Sequence, residues 1–171
     1  MQRIAIIGCC GAGKSTLAKA LKLKLSLPVI HLDAYYWQPG WVETSTEEWI
    51  AKQQLLVKKE SWIIDGNYLK TMDIRLQAAD TIILLDFPRI LCLWRVVRRA
   101  LQYKGTVRSD MADGCVERLH YDFLLYVWNF ARTQRRSILS KIKSYEHSKQ
   151  VMIFRHPQQI NNFLTELNSQ T

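Results

Sequence analysis

Five short runs of apolar, largely β-branched residues recur along the chain, over residues 3–7, 28–32, 62–65, 81–86 and 150–154. Between them, apolar positions return every three or four residues, the period of a helix with one buried face. The spacing predicts helices over about 14–25, 46–60, 71–78, 89–103, 116–145 with a break, and 157–167. Strands alternating with helices imply an α/β protein built on a parallel sheet. There are no repeats, low-complexity tracts or Pro/Gly/Ser-rich linkers, so residues 1–171 are expected to form one domain. Lys104-Gly105-Thr106 and Asp113-Gly114 bracket the segment expected to be most mobile.

Composition agrees with a packed domain. The 171 residues are 48% hydrophobic, with six Trp, seven Tyr and five Phe, enough to bury a sizeable core. The longest apolar stretch, 81–94, is interrupted by Asp86, Pro88 and Arg89 and falls short of a membrane span. Only about five apolar residues precede the first glycine, too few for a signal peptide, so a cytoplasmic protein away from membranes is expected. Cys9, Cys10, Cys92 and Cys115 have no metal-ligand spacing and are read as free thiols. Cys9 and Cys10 are either incidental loop residues or thiolates favoured by a helix terminus.

The chemistry is concentrated where the first strand ends. Gly8, Cys9, Cys10, Gly11, Ala12, Gly13, Lys14 and Ser15 fit G-x-x-x-x-G-K-[ST], between an apolar strand and a helical pattern. Glycines let backbone N–H groups close around phosphate oxygens, and the helix N-terminus adds unsatisfied donors and a partial positive charge. Lys14 is expected at the β- and γ-phosphates, Ser15 on Mg²⁺, and Thr16 as a second loop contact.

Ligands of open α/β sheets lie beyond the carboxyl ends of the strands, where Asp33, Asp65 and Asp86 fall. Asp65 is chosen as the second Mg²⁺ residue, and Asp33 as the group that orients or deprotonates an acceptor hydroxyl. Asp86 is either a ligand or a turn acid. The charge of +9 is uneven, since residues 86–171 hold 14 basic and 7 acidic side chains. Arg95, Arg98 and Arg99 share one helical face and form either a phosphate cluster or a solvated stripe. The aromatic stretch 31–41 either lines an acceptor pocket or forms the core of a small lobe. His31, His120, His147 and His156 are scattered, and none is read as a base or metal ligand.

Several motifs together resemble one group. They are the loop at Gly8, His31-Leu32-Asp33, Pro39-Gly40-Trp41, Trp62-Ile63-Ile64-Asp65-Gly66-Asn67-Tyr68, Asp73-Ile74-Arg75-Leu76, Leu85-Asp86-Phe87-Pro88-Arg89 and Trp128-Asn129-Phe130. With these, the chain resembles the adenylate-kinase-like P-loop kinases, and within them the DNA-topology-modulation proteins, over nearly its whole length. The resemblance implies a three-layer α/β/α P-loop NTPase fold with a five-stranded parallel sheet, an acceptor arm over about 31–60 and a short Arg-bearing lid over about 99–128. It implies ATP and Mg²⁺ as cofactors and a small-molecule phosphoryl acceptor. Arg95 and Arg99 match the lid-entry arginines, and Arg75 looks like an acceptor-phosphate ligand. One of Arg132, Arg135 and Arg136 corresponds to the lid-exit arginine, and the loop at Arg155 would hold the adenine. One departure is the absence of arginine from residues 28–57, where adenylate kinases carry arginines for the acceptor phosphate. The reading is an ATP-dependent kinase in which Lys14, Arg95, Arg99 and Asp33 are catalytic. The alternative is a DNA-associated regulator whose basic second half grips nucleic acid and uses ATP as a switch.

Overall fold

The computed structural model describes residues 1–168. Five strands, Arg3–Gly8 (β1), Val29–His31 (β2), Trp62–Asp65 (β5), Thr81–Leu85 (β6) and Gln150–Phe154 (β7), form one parallel sheet in the order β2-β5-β1-β6-β7. Two further short strands, Trp37–Gln38 (β3) and Val42–Glu43 (β4), make an antiparallel hairpin. The helices are Lys14–Leu25 (α1), Leu32–Tyr36 (α2), Thr46–Leu56 (α3), Met72–Ala78 (α4), Arg89–Gln102 (α5), Tyr121–Thr133 (α6), Arg135–Lys143 (α7) and Pro157–Asn168 (α8). Among the described residues no helix is long and apolar enough to cross a membrane.

The central strands read as unbroken apolar runs because helices cover both faces of the sheet. Ile4, Ala5, Ile6 and Ile7 of β1, and Ile82 and Ile83 of β6, are fully buried. The chain moves from β1 outward to β2, returns to β5, then crosses to β6 on the other side of β1. The carboxyl end of β1 therefore opens into the crevice where such a sheet binds ligands.

Several boundaries differ from the sequence pattern. The second strand stops at His31, because Leu32 begins the five-residue α2. The second predicted helix, 46–60, ends at Leu56. The expected helix over 116–145 starts only at Tyr121 and breaks at Gln134. Val116 instead pairs with Val107 in an isolated antiparallel bridge that clips the loop between α5 and α6 into a compact lid.

Candidate active site

The loop after β1 wraps the N-terminus of α1, which opens at Gly13 in the left-handed conformation. No acidic residue occupies the first turn of α1 and no side chain caps it, so its N–H groups stay available to an anion. Gly11 has φ +81°, and a Cβ there would run into the carbonyl of Cys92 on α5, so no other residue fits. Loop carbonyls are already occupied. Lys14 Nζ donates to Gly8 O at 2.9 Å and Cys9 O at 3.2 Å, and Arg95 Nη1 donates to Ala12 O at 3.2 Å. The Gly8 N–H is held at 3.1 Å by Asn67 Oδ1, which ties the loop to the end of β5.

Around this loop lies a cleft of about 560 Å³, bounded by α2, the β5 end, α5, α8 and the lid. Of the sequence-selected residues, Gly11, Ala12, Gly13, Lys14, Ser15, Thr16, Asp33, Asp65, Arg95 and Arg99 line it together, as does Arg98. Asp33 accepts a 2.7 Å hydrogen bond from the Tyr68 hydroxyl. Asp65 is 4% exposed; its Oδ1 takes the His31 Nδ1–H at 3.0 Å, while Oδ2 has no partner. Burial works against a charge on His31, but the Asp65 carboxylate outweighs it and raises the imidazole above its ordinary value.

Arg95 lies over the loop and 5.6 Å from the Phe87 ring. Arg99 is tethered by the buried Glu117, whose other oxygen takes Arg108 Nε at 2.7 Å. Neither Glu117 nor Arg108 was singled out by the sequence: Arg108 falls where no periodicity marks a buried position, and Glu117 where the pattern suggested the first turn of a helix that starts only at Tyr121. The lid is also seated rather than loose. Gly40 N–H donates to Gly114 O at 3.3 Å, Trp41 Nε1–H to Val116 O at 3.0 Å, and Lys19 Nζ to Ser109 Oγ at 2.9 Å.

Other expectations need correction. Arg75 does not face the cleft: it is fully buried and donates to Gln53 Oε1 at 3.1 Å, Gly66 O at 3.0 Å and Asn67 O. Burial pushes its guanidinium down to about 10, which leaves it cationic at neutral pH. Arg155 does not line the cleft either; its side chain is 66% exposed, and Gln159 Oε1 occupies the N–H groups of Arg155 and His156. Pro157, Ile160 and Asn161 lie at that wall instead. None of Arg132, Arg135 and Arg136 lines the cleft, and Arg135 grips both oxygens of Asp86 at 2.7 Å. Asp86 is thus an ion-pair partner of Arg135.

Of the aromatic stretch, none of Tyr35, Tyr36, Trp37 and Trp41 lines the cleft. Tyr36, Trp49 and Tyr68 form one cluster with ring centres 4.6–5.1 Å apart, and Trp49 is 3% exposed. Contact with Cys92 and burial raise the Cys9 thiol, and burial raises that of Cys10, so neither is a thiolate at neutral pH.

Among the described residues no group of three His, Cys, Asp or Glu side chains forms a metal site. A cation held largely by water and phosphate oxygens needs no such group, and the orphaned, buried Asp65 Oδ2, on the cleft that Ser15 also lines, suits a hard cation such as Mg²⁺.

No family model and no curated protein matches the chain by sequence. Solved structures match its fold. A shikimate kinase from Acinetobacter baumannii in complex with shikimate is similar at TM-score 0.62 and 14% identity, over 99% of this chain and 92% of that one. A gluconokinase from Sinorhizobium meliloti 1021 gives 0.54 and 13%, over 98% and 90%. A deoxyadenosine kinase from M. mycoides with product dCMP and a flexible dCDP bound gives 0.52 and 16%, over 98% and 99%. The chain thus has the P-loop kinase fold: a five-stranded parallel sheet flanked by helices.

Proposed function

We propose that this protein is an ATP-dependent kinase that transfers the γ-phosphoryl group to a hydroxyl of a small molecule. The observation that carries this reading is the convergence of Lys14, Arg95, Asp33 and the unpartnered Asp65 carboxylate on one cleft at the loop. The free N–H groups of the loop and α1 bind the phosphates, with Thr16 as a second contact. Lys14 leaves the Gly8 and Cys9 carbonyls and, with Arg95 and Arg99, stabilises charge that builds up on the transferred group. Asp33 orients the acceptor hydroxyl and takes its proton, fixed in place by Tyr68. Ser15 and Asp65 would hold Mg²⁺, which neutralises phosphate charge when bound. The arm at about 31–60 and the lid at about 99–128 act as parts of a single domain, and the seated lid excludes water.

An acceptor without its own phosphate fits the arm best. Residues 28–57 hold no arginine, and Arg75 is committed to Gln53, Gly66 and Asn67. The motifs around Asp65 and Asp86 support the finer resemblance to the DNA-topology-modulation proteins, a label that carries no chemistry of its own. Four of the second-half cations that prompted the nucleic-acid reading are paired within the fold: Arg99 and Arg108 with Glu117, Arg135 with Asp86, and Lys141 with Asp73.

The test is ADP release with Mg-ATP against panels of nucleosides, nucleotides, sugars and other polyols. Acceptor-dependent release that disappears in Lys14→Ala supports the reading. Turnover unchanged by that substitution refutes it.

A further inference from the structure

The lid brings a carboxylate into the cleft that the proposed reaction, as described so far, does not use. Asp110 is 12% exposed, and Arg108 Nη1 holds both of its oxygens, at 3.0 and 2.9 Å. Arg108 in turn rests on the buried Glu117, which also takes Arg99. Two arginines and two carboxylates therefore form a continuous line, Arg99–Glu117–Arg108–Asp110, that fixes Asp110 from behind. From the front, Asp110 hydrogen-bonds with the Ser15 hydroxyl and lines the same cleft as Asp65. A guanidinium hydrogen-bonded to both oxygens is the partner of a charged carboxylate. Asp110 is thus an anion at the cleft wall.

Two other roles fit the geometry less well. A carboxylate serving only to pin the lid would be satisfied by Arg108 alone and has no need to face Ser15. A stand-in for a missing phosphate would sit on the loop's own cations, yet Lys14 and Arg95 are bound to Gly8, Cys9 and Ala12 carbonyls. The side of the cleft that Asp110 approaches is the one holding a hydroxyl, Ser15, and a 96% buried carboxylate whose Oδ2 has no partner. Mg²⁺ is commonly held by one or two carboxylates together with water and substrate phosphates, and the seated lid presents such a second carboxylate.

We propose that Asp110 completes the divalent-cation site, so that closing the lid adds its carboxylate to Ser15 and Asp65 around Mg²⁺ or its bound water. The proposal rests on the kinase reading, and it makes lid closure and metal binding mutually reinforcing, since a ligand that favours one state is favoured by it.

Calorimetric titration of ATP into the full chain, once with Mg²⁺ and once with EDTA, tests it in wild type, Asp110→Asn and Asp110→Glu. Binding of Mn²⁺ in the presence of ATP, followed by loss of the free-ion paramagnetic resonance signal, gives a second readout that needs no turnover. Wild type is expected to bind ATP more tightly with Mg²⁺. Asp110→Asn should lose about 10- to 100-fold of that gain, the range typical of residues supporting a metal site. It should bind ATP as well as wild type, or better, in EDTA, and Asp110→Glu should recover part of the loss. An Asn variant that keeps the full Mg²⁺ gain overturns the role of Asp110 and leaves the kinase reading standing. So does one that tightens ATP equally in both media, as removal of a phosphate mimic would. A wild-type chain that binds no ATP in either medium overturns both.

Discussion

Removing the Arg75 guanidinium tests whether this residue builds the site or touches the acceptor. In Arg75→Ala, three buried acceptors lose their donor: the Gly66 and Asn67 carbonyls and Gln53 Oε1, the last on a residue only 1% exposed. A buried acceptor left without a partner costs about 1–3 kcal/mol, and breaking a buried charged network typically costs about 3–5 kcal/mol in all. Backbone relaxation and water entry keep the total nearer the second figure than the sum of three separate losses. For a chain of this size each kcal/mol lowers Tm by about 2–4 °C, so the variant should melt about 6–20 °C earlier by calorimetry. Arg75→Lys keeps the charge but loses the fork that spans two carbonyls, and should fall between. Asn67 also holds the Gly8 N–H, so ATP binding should weaken together with stability. An unchanged Tm with a selective rise in acceptor KM would refute this reasoning and return Arg75 to the acceptor.

Lys14→Ala should lower kcat by about 10²-fold or more, the scale of losing one preorganised stabilising group, while circular dichroism and Tm stay near wild type. Gly11→Ala should displace the loop from α5 and weaken ATP binding in calorimetry, because its new methyl group meets the Cys92 carbonyl at φ +81°. The His31–Asp65 pair should stabilise the fold most below about pH 6.5, and lose that contribution as pH rises through the raised His31 value. Wild type should therefore out-melt His31→Gln in acid, with the gap closing toward pH 9; a gap independent of pH would contradict the pairing. Trp41→Phe removes the arm-to-lid bond to Val116, and should speed tryptic cleavage at Lys104 without changing the far-ultraviolet spectrum.

The sheet was legible because its strands are buried on both faces, which turns each into an uninterrupted apolar run. The loop was legible because glycine, lysine and serine at fixed spacing between strand and helix answer a specific chemical need. Helix α2 was not, since five residues barely exceed one helical turn and leave no period to detect. Arg75 was expected to meet an acceptor phosphate because it matched a motif; what it meets is a pair of carbonyls and Gln53, supplied by other elements. Asp86 and Arg135 lie 49 residues apart, and no local signal links them. Asp110 lies in a stretch without periodicity and Glu117 in one whose spacing suggested a helix, and the burial of both depends on the arginines that fold back over them. The acceptor side shows the weakest correspondence for the same reason: its residues come from loops and short elements whose placement is tertiary.

Mass spectrometry of the products formed from ATP labelled with heavy oxygen on the γ-phosphoryl group, with an acceptor panel present, tests the central claim most directly. The account predicts the label on an organic hydroxyl, and its loss in Lys14→Ala. Label found only in inorganic phosphate, or remaining in ATP with every acceptor, would contradict it.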